Sequence, residues 1–196
     1  MQLRRTAIAD VIIIEPKVHG DERGYFFESY RQDVLERFVG YSVNFIQDNE
    51  SKSDRGVLRG LHYQIGNSAQ SKLVRVISGR VLDVAVDIRK GSPTFAQHVA
   101  IELTADNKRQ VLIPRGFAHG FAVLEDNTIF SYKVDNYYSP AEDRGIAFDD
   151  PRLTINWGLP TSELLLSAKD QQQPLLADAE LFSYQANYYR TSDYEY

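Results

Sequence analysis

Residues 47–72 set groups that can hold or move protons into segments that otherwise read as apolar strands: Asn49, Arg59, His62, Gln64 and Lys72. A polar group buried without a partner costs on the order of a few kcal/mol. Strands that gather several such groups therefore line a wet cavity rather than a packed core. Imidazole is the side chain that takes up and returns protons near neutral pH, and the chain has four histidines. His62 and His119 lie in Gly-Leu-His-Tyr-Gln and Arg-Gly-Phe-Ala-His-Gly-Phe, where small residues let a backbone or a ligand come close. His19 and His98 fall in a turn and an ordinary strand and read as structural. Spacing alone leaves His62 and His119 open between satisfied structural groups and a proton-transfer site.

Charge points the same way. Residues 51–80 hold six bases (Lys52, Arg55, Arg59, Lys72, Arg75, Arg80) and one acid, Asp54, a local +5 in a chain of net −5. A basic concavity in an acidic protein suits a small anionic ligand. A nucleic-acid duplex would need a broad basic face, so no nucleic-acid partner is expected. Solvated strand faces would also produce this count, and charge alone does not separate the two.

The 196 residues, 43% hydrophobic and 25% charged, fit one globular domain with a proper core. Without cysteine there is no disulfide, thiolate nucleophile or zinc–thiolate site. The apolar run near the start, Val11–Ile14, is too short for a signal-peptide core or a membrane span. The expectation is a soluble, cytoplasmic protein with no membrane partner.

The elements that must position these groups are mostly strands. Val11–Glu15 reads as a strand, His19–Gly24 as a turn, Tyr25–Ser29 as a second strand and Asp33–Phe38 as a short helix. Strands then recur at Val43–Asp48, Val57–Gln64, Leu73–Ile77, Val81–Ile88, His98–Leu103, Gln110–Ile113, His119–Leu124 and Thr128–Val134, separated by Gly-, Pro-, Asn- and Asp-rich turns. Gly145–Phe148 could add a strand and Ser162–Leu166 a short helix. This is the pattern of an all-β sandwich, barrel or jelly roll. In Val81–Ile88 one face carries Leu82, Val84, Val86 and Ile88, and the other Val81, Asp83, Ala85 and Asp87. Asp83 and Asp87 are thus either a carboxylate pair or solvent-facing, with solvent favoured for Asp87. Strict alternation puts Arg59 and His62 on opposite faces, so if both serve one pocket, Gly60 marks a bulge.

Taken in order, several blocks resemble the dTDP-4-dehydrorhamnose 3,5-epimerase family. They are Gln47-Asp48-Asn49, Arg59–Gln64, Lys72–Arg75, Asp83–Arg89, Gly91–Phe95, Ile113–Phe121, Tyr132-Lys133, Phe148–Pro151 and Ser167-Ala168-Lys169-Asp170. The resemblance runs from about Gly20 to Asp170. It implies a cupin-type jelly roll (double-stranded β-helix) with a few short helices, a homodimer, and a dTDP-sugar substrate inverted at C3 and C5 through an enolate. By resemblance His62 is the base, Asp170 the carboxylate that orients it, Tyr132 the acid and Lys72 the cation at the enolate oxygen. Arg23, Glu28, Gln47, Asn49, Arg59 and His119 match positions that hold the nucleotide, the diphosphate or the sugar. Epimerases of C3 or C5 alone, a ketoisomerase and a non-catalytic sugar-binding jelly roll are the alternatives.

Many cupins bind a metal through two histidines one residue apart, a glutamate and a later histidine. Here His62 is followed by Gln64 where the second histidine would stand, so neither metal nor other cofactor is expected. Trp157-Gly158-Leu159-Pro160 departs from the family's more usual Trp-Pro, and the tail is longer than usual. Residues 1–196 are read as one domain. Residues 179–196 form a C-terminal tail, rich in Phe182, Tyr184, Tyr188, Tyr189, Tyr194 and Tyr196, that docks on the domain or on a partner subunit.

Overall fold

Ile12, Ile13 and Ile14 are consecutive and all buried, which a strand permits only when both its faces are covered. The computed structural model, which describes residues 1–184, 188 and 189, shows what covers them. The strands are β1 (Gln2–Arg5), β2 (Ile12–Glu15), β3 (His19–Asp21), β4 (Gly24–Phe26), β5 (Gln47–Ser53), β6 (Leu58–Gln64), β7 (Lys72–Ser78) and β8 (Arg80–Asp87). They continue as β9 (Arg89–Lys90), β10 (His98–Thr104), β11 (Gln110–Ile113), β12 (Phe117–Val123), β13 (Thr128–Val134), β14 (Asp143–Gly145) and β15 (Phe182–Ser183). The α-helix is α1 (Gln32–Val39).

A six-stranded sheet runs β1-β2-β11-β7-β13-β5 and a five-stranded sheet β10-β8-β12-β6-β14, giving the facing sheets of an all-β jelly roll of the cupin type. Side chains alternate across these strands and build three layers of apolar contact. Ile13, Val74, Val111 and Phe130 meet Val81, Ala85, Leu103 and Phe121 between the sheets. Ile12, Ile14, Leu73 and Leu112 point outward from the six-stranded sheet and are covered by Leu35 of α1. Val84, Val86 and Ile88 point outward from the five-stranded sheet. The irregular C-terminal segment covers them with Ile146, Leu153, Trp157 and Leu176. Full burial of each aliphatic side chain contributes about 1.5–3 kcal/mol.

Several elements depart from the sequence expectation. The strand expected at Val43–Asp48 lies instead at Gln47–Ser53. It is an edge strand whose half-buried positions Gln47, Asn49, Ser51 and Ser53 face a polar cleft, so it shows period 2 without apolar residues. His19–Gly24 is no simple turn: β3 and β4 form a hairpin around Glu22 and Arg23. The strand expected at Gly145–Phe148 is Asp143–Gly145, after which Ile146 turns into the apolar layer. Ser162–Leu166 supplies only a 3-10 turn, Thr161–Glu163. Tyr194 and Tyr196, part of the expected docking tail, lie outside the described residues.

Asp83 and Asp87 are the clearest correction. Both are buried, at 1% and 0% exposure, and they do not pair. Asp83 meets His119. Asp87 takes the Arg89 guanidinium at 2.9 and 2.8 Å and the hydroxyls of Ser92 and Thr94, both at 2.6 Å. Burial pushes the Asp87 carboxyl up, but these donors outweigh it and hold it below its ordinary value. Its stabilising contribution is accordingly present at neutral pH and lost as pH falls through the lowered value. Asp87→Ala should destabilise the fold by roughly 3–5 kcal/mol, because it strips a buried guanidinium of its bidentate partner. The check is a fall in the urea midpoint at unchanged slope.

Candidate active site

At one end of the sandwich the apolar filling between the sheets stops, leaving a cleft of about 520 Å³. Its floor is the Phe121–Phe130 stack, with ring centroids 4.0 Å apart. A second lobe of about 390 Å³ adjoins it. His62, Lys72, Tyr132 and Lys169 line both lobes and so stand at the junction.

The five-stranded sheet supplies Arg59 and His62 from β6 and His119 from β12. Opposite His119–Phe121, β6 runs from His62 to Arg59, one residue more than its partner. That bulge resets the alternation, so Arg59 and His62 both reach the cleft while Leu58, Leu61 and Tyr63 pack outward. Gly60 permits it: a Cβ there would lie 2.6 Å from the Gly120 Cα and 2.7 Å from the His119 carbonyl oxygen. The six-stranded sheet supplies Lys72 from β7, Tyr132 from β13 and Asn49 and Gln47 from β5. Tyr132 stands beside Asn49, and Val134 beside both Gln47 and Lys72.

His62 Nε2 lies 2.5 Å from Asp170 Oδ1. With Nε2–H donating to the carboxylate, Nδ1 is the ring's free lone pair. Burial pushes the Asp170 carboxyl up, but hydrogen bonds from His62, Ser167 and the Gly60 N–H, with the attraction of the imidazole, bring it net below its ordinary value. Asp170 therefore stays anionic at neutral pH. Burial raises the Tyr132 phenol, against a smaller opposite effect of Arg59, so it remains protonated at neutral pH. His119 is buried, its Nε2 2.7 Å from Asp83 Oδ2; burial lowers its pKa more than Asp83 raises it. Asp83 Oδ1 has no hydrogen-bond partner among the described residues.

The Lys72 ammonium forms no hydrogen bond or ion pair among the described residues. Burial lowers its ammonium to about 8, with Lys169 pushing the same way and Asp143 and Asp83 opposing. A half-buried cation held without a counter-ion is prepared for an anion. Arg59 reaches Ser53 Oγ at 3.1 Å, and Gln47 Nε2 donates to Asn49 Oδ1 at 2.8 Å. Lys169, which sequence reasoning did not assign, is ion-paired with Asp143, and Tyr138 also donates to that carboxylate at 3.0 Å. The signal for Lys169 was its place beside Asp170 in Ser167-Ala168-Lys169-Asp170.

Two expected ligand-binding residues are not in this cleft. Arg23 is ion-paired with Asp21 on the exposed β3–β4 hairpin, and Glu28 lies 3.5 Å from Arg31. Gln64 is buried and fully engaged: its amide donates to the carbonyls of Ser68 and Tyr137 at 2.7 and 3.1 Å, and accepts from the Ser139 N–H at 2.7 Å. It is a tie between loops, and His62 and His119 are each turned to a carboxylate. Among the described residues no group of three or more His, Cys, Asp or Glu could hold a metal ion. No helix among them is long and apolar enough to cross a membrane.

A carboxylate-backed imidazole from one sheet shares the cleft with a protonated phenol and the Lys72 ammonium from the other, a set able to move protons in a cupin-class fold. Residues 5–178 match the sequence profile of dTDP-4-dehydrorhamnose 3,5-epimerase. The epimerase of that name from Salmonella typhimurium is 57% identical over 178 residues, covering 90% of this chain and 96% of the relative. That from Shigella flexneri is 54% identical, covering 93% and 99%. A crystal structure of dTDP-6-deoxy-D-glucose-3,5-epimerase from Legionella pneumophila, in complex with dTDP-4-keto-L-rhamnose, superposes with a TM-score of 0.90 at 48% identity, covering 94% and 99%. The chain belongs to the dTDP-4-dehydrorhamnose 3,5-epimerase family.

With ¹³C-labelled lysine, the Lys72 Cε resonance, assigned by its loss in Lys72→Arg, should titrate near pH 8. The group is cationic below that pH and neutral above it. A midpoint at the ordinary lysine value of about 10.4 would show that burial does not destabilise the ammonium.

Proposed function

We propose that the cleft inverts C3 and C5 of dTDP-4-dehydro-6-deoxy-D-glucose to give dTDP-4-dehydro-L-rhamnose, on the route to dTDP-L-rhamnose. The observation that carries this reading is that His62 and Tyr132 stand on facing sheets across one cleft, with Lys72 at the junction of its lobes. Inversion beside a ketone needs that arrangement: a base on one face, an acid on the other and a positive group at the oxygen.

In this reading His62 Nδ1 removes the proton from the carbon next to the C4 ketone. The C–H electron pair becomes the enolate, and its negative oxygen is stabilised by the Lys72 ammonium. Asp170 stabilises the imidazolium that forms and fixes its tautomer. The Tyr132 hydroxyl then gives its proton to the opposite face, leaving a phenolate. Each inversion thus protonates His62 and deprotonates Tyr132, so the pair resets through solvent before the second carbon reacts. Arg59, Asn49, Gln47 and His119 hold the diphosphate and sugar. Charge-assisted bonds of this type contribute roughly 1.5–3 kcal/mol each.

The substrate is a soluble dTDP-sugar, which together with the absence of cysteine fits a cytoplasmic enzyme. We read residues 1–196 as one domain acting in a homodimer. The β3–β4 hairpin supports the dimer: it exposes Tyr25 and Phe26, at 61% and 70%. Arg23 and Glu28 stand with it outside their own chain's cleft. Covering that hairpin with a second copy would bury apolar surface that a monomer leaves wet.

Light scattering at micromolar concentration should give twice the 22.4 kDa chain mass; a monomeric mass there would count against the dimer. The roles of His62 and Tyr132 separate in deuterated solvent. His62→Asn should lower both exchange and inversion by about 10²-fold or more. Tyr132→Phe should still take up deuterium at C3 or C5, returned from the His62 side with retained configuration, while inversion falls. Inversion of both centres at the wild-type rate in Tyr132→Phe would remove Tyr132 as the acid.

A further inference from the structure

The family profile ends at residue 178, yet the chain beyond it returns to the site. β7, β11 and β13 end at one level, where Lys72 stands beside Ile113 and Val134. Immediately past these ends lie Ser71, Arg115 and Asp135. The fully buried Ser71 donates its N–H to Asp135 Oδ1 at 2.6 Å, and Arg115 Nε donates to Asp135 Oδ2 at 3.1 Å. Tyr189 completes the group. Its hydroxyl accepts the Arg115 N–H at 3.0 Å and meets Ser71 Oγ at 3.2 Å, while Arg115 Nη1 donates to the Tyr188 carbonyl at 2.5 Å. The Tyr189 ring is stacked on Tyr41, with centroids 4.0 Å apart.

We propose that Tyr189 is a positioning residue for Lys72, acting through Ser71 at the entry to β7. Lys72 has no hydrogen-bond or ion-pair partner at its ammonium among the described residues, so none of these fixes where the charge stands from the tip of that long side chain. Its place is set from the backbone end. The residue before it is held by an aspartate at its N–H and by the Tyr189 hydroxyl at its side chain. Arg115 bonds both the aspartate and the tail, which makes the tail part of the clamp. A stem released at this end would let the ammonium swing outward into the open cleft, where water supports its charge. The charges facing that ammonium are Asp143 on β14, Asp83 on β8 and Lys169 on the Ser167–Asp170 segment; the cleft also holds Glu50, Arg59, Asp170, His62 and His119, and the phenols of Tyr63, Tyr132 and Tyr138. Asp135 and Arg115 stand paired beneath it. Removing the Tyr189 hydroxyl changes the charge of none of these groups, although it leaves the Arg115 N–H without that acceptor.

The inference rests on the role given above to Lys72, and its test keeps the two apart. Tyr189→Phe, Ser71→Ala and the double variant are compared with wild type, each first shown folded by its thermal transition. Three quantities are read: the titration of the Lys72 ¹³Cε resonance, kcat and the high-pH limb of kcat/KM. Each single variant should move the Lys72 midpoint upward from about 8 and lower kcat roughly tenfold, short of the ~10²-fold that a 1 Å misplacement can cost. The double variant should be no worse than Tyr189→Phe alone, because that change already removes the Ser71 contact. An unmoved Lys72 midpoint in both single variants overturns the proposal, as do losses that only track the folded fraction or that add in the double variant. A moved midpoint with a fixed kinetic limb keeps the clamp and overturns the assignment of Lys72 to the enolate.

Discussion

One extra residue in β6 determines where the charged groups of this molecule can stand. In an unbroken ladder Arg59 would share a face with Leu61, and His62 with Leu58. One pair or the other would then carry a charge into the apolar layer under the C-terminal segment. The bulge opposite His119–Phe121 avoids that conflict by letting three apolar residues and two polar ones each find their own side. It requires two backbones to come closer than any side chain allows, and Gly60 faces Gly120 at that place. The other parts of the site are fitted around it: Asp170 accepts from the Gly60 N–H and from His62, on either side of the bulge.

Carboxylates stand against two inward-facing guanidinium groups and both cleft histidines, but among the described residues none is ion-paired with the Lys72 ammonium. Asp87 holds Arg89, Asp135 holds Arg115, Asp170 backs His62 and Asp83 backs His119. In a low-dielectric interior each of these groups alone would be costly to keep charged. Lys72 is left without such a partner, and the free energy of its burial appears as a lowered proton affinity rather than as a salt bridge. An anion formed in the cleft would then meet a cation that needs no reorganisation to receive it.

The C-terminal third supplies little regular structure but much of the site. It lays Ile146, Leu153, Trp157 and Leu176 over the outer face of the five-stranded sheet, and its docking carries Ser167, Lys169 and Asp170 to the cleft mouth. Trp157, whose setting departs from the family's usual pattern, is buried and donates its indole N–H to the Phe148 carbonyl at 3.0 Å. The segment that follows reaches Tyr188, packed edge-on against Phe182 at 5.0 Å, and Tyr189.

Alternation and turn chemistry in the sequence by themselves determined the all-β class, most strand positions between Leu58 and Val134, and the short helix near Asp33. They also marked His62, Arg59, Lys72 and His119 as polar groups misplaced for a core. These are local properties: a strand's period and a glycine's freedom are written within a few residues. Tertiary structure decided what depends on distance along the chain. It brought Asp170 to His62 across 108 residues, separated Asp83 from Asp87 and buried both, and found β5 in a polar stretch that no hydrophobic pattern announces. Tyr132 was singled out from twelve tyrosines by the family resemblance alone; folding puts its strand in the sheet opposite that of the imidazole. A side chain's type is encoded where it stands, but its partner is set by which faces the sheets must bury.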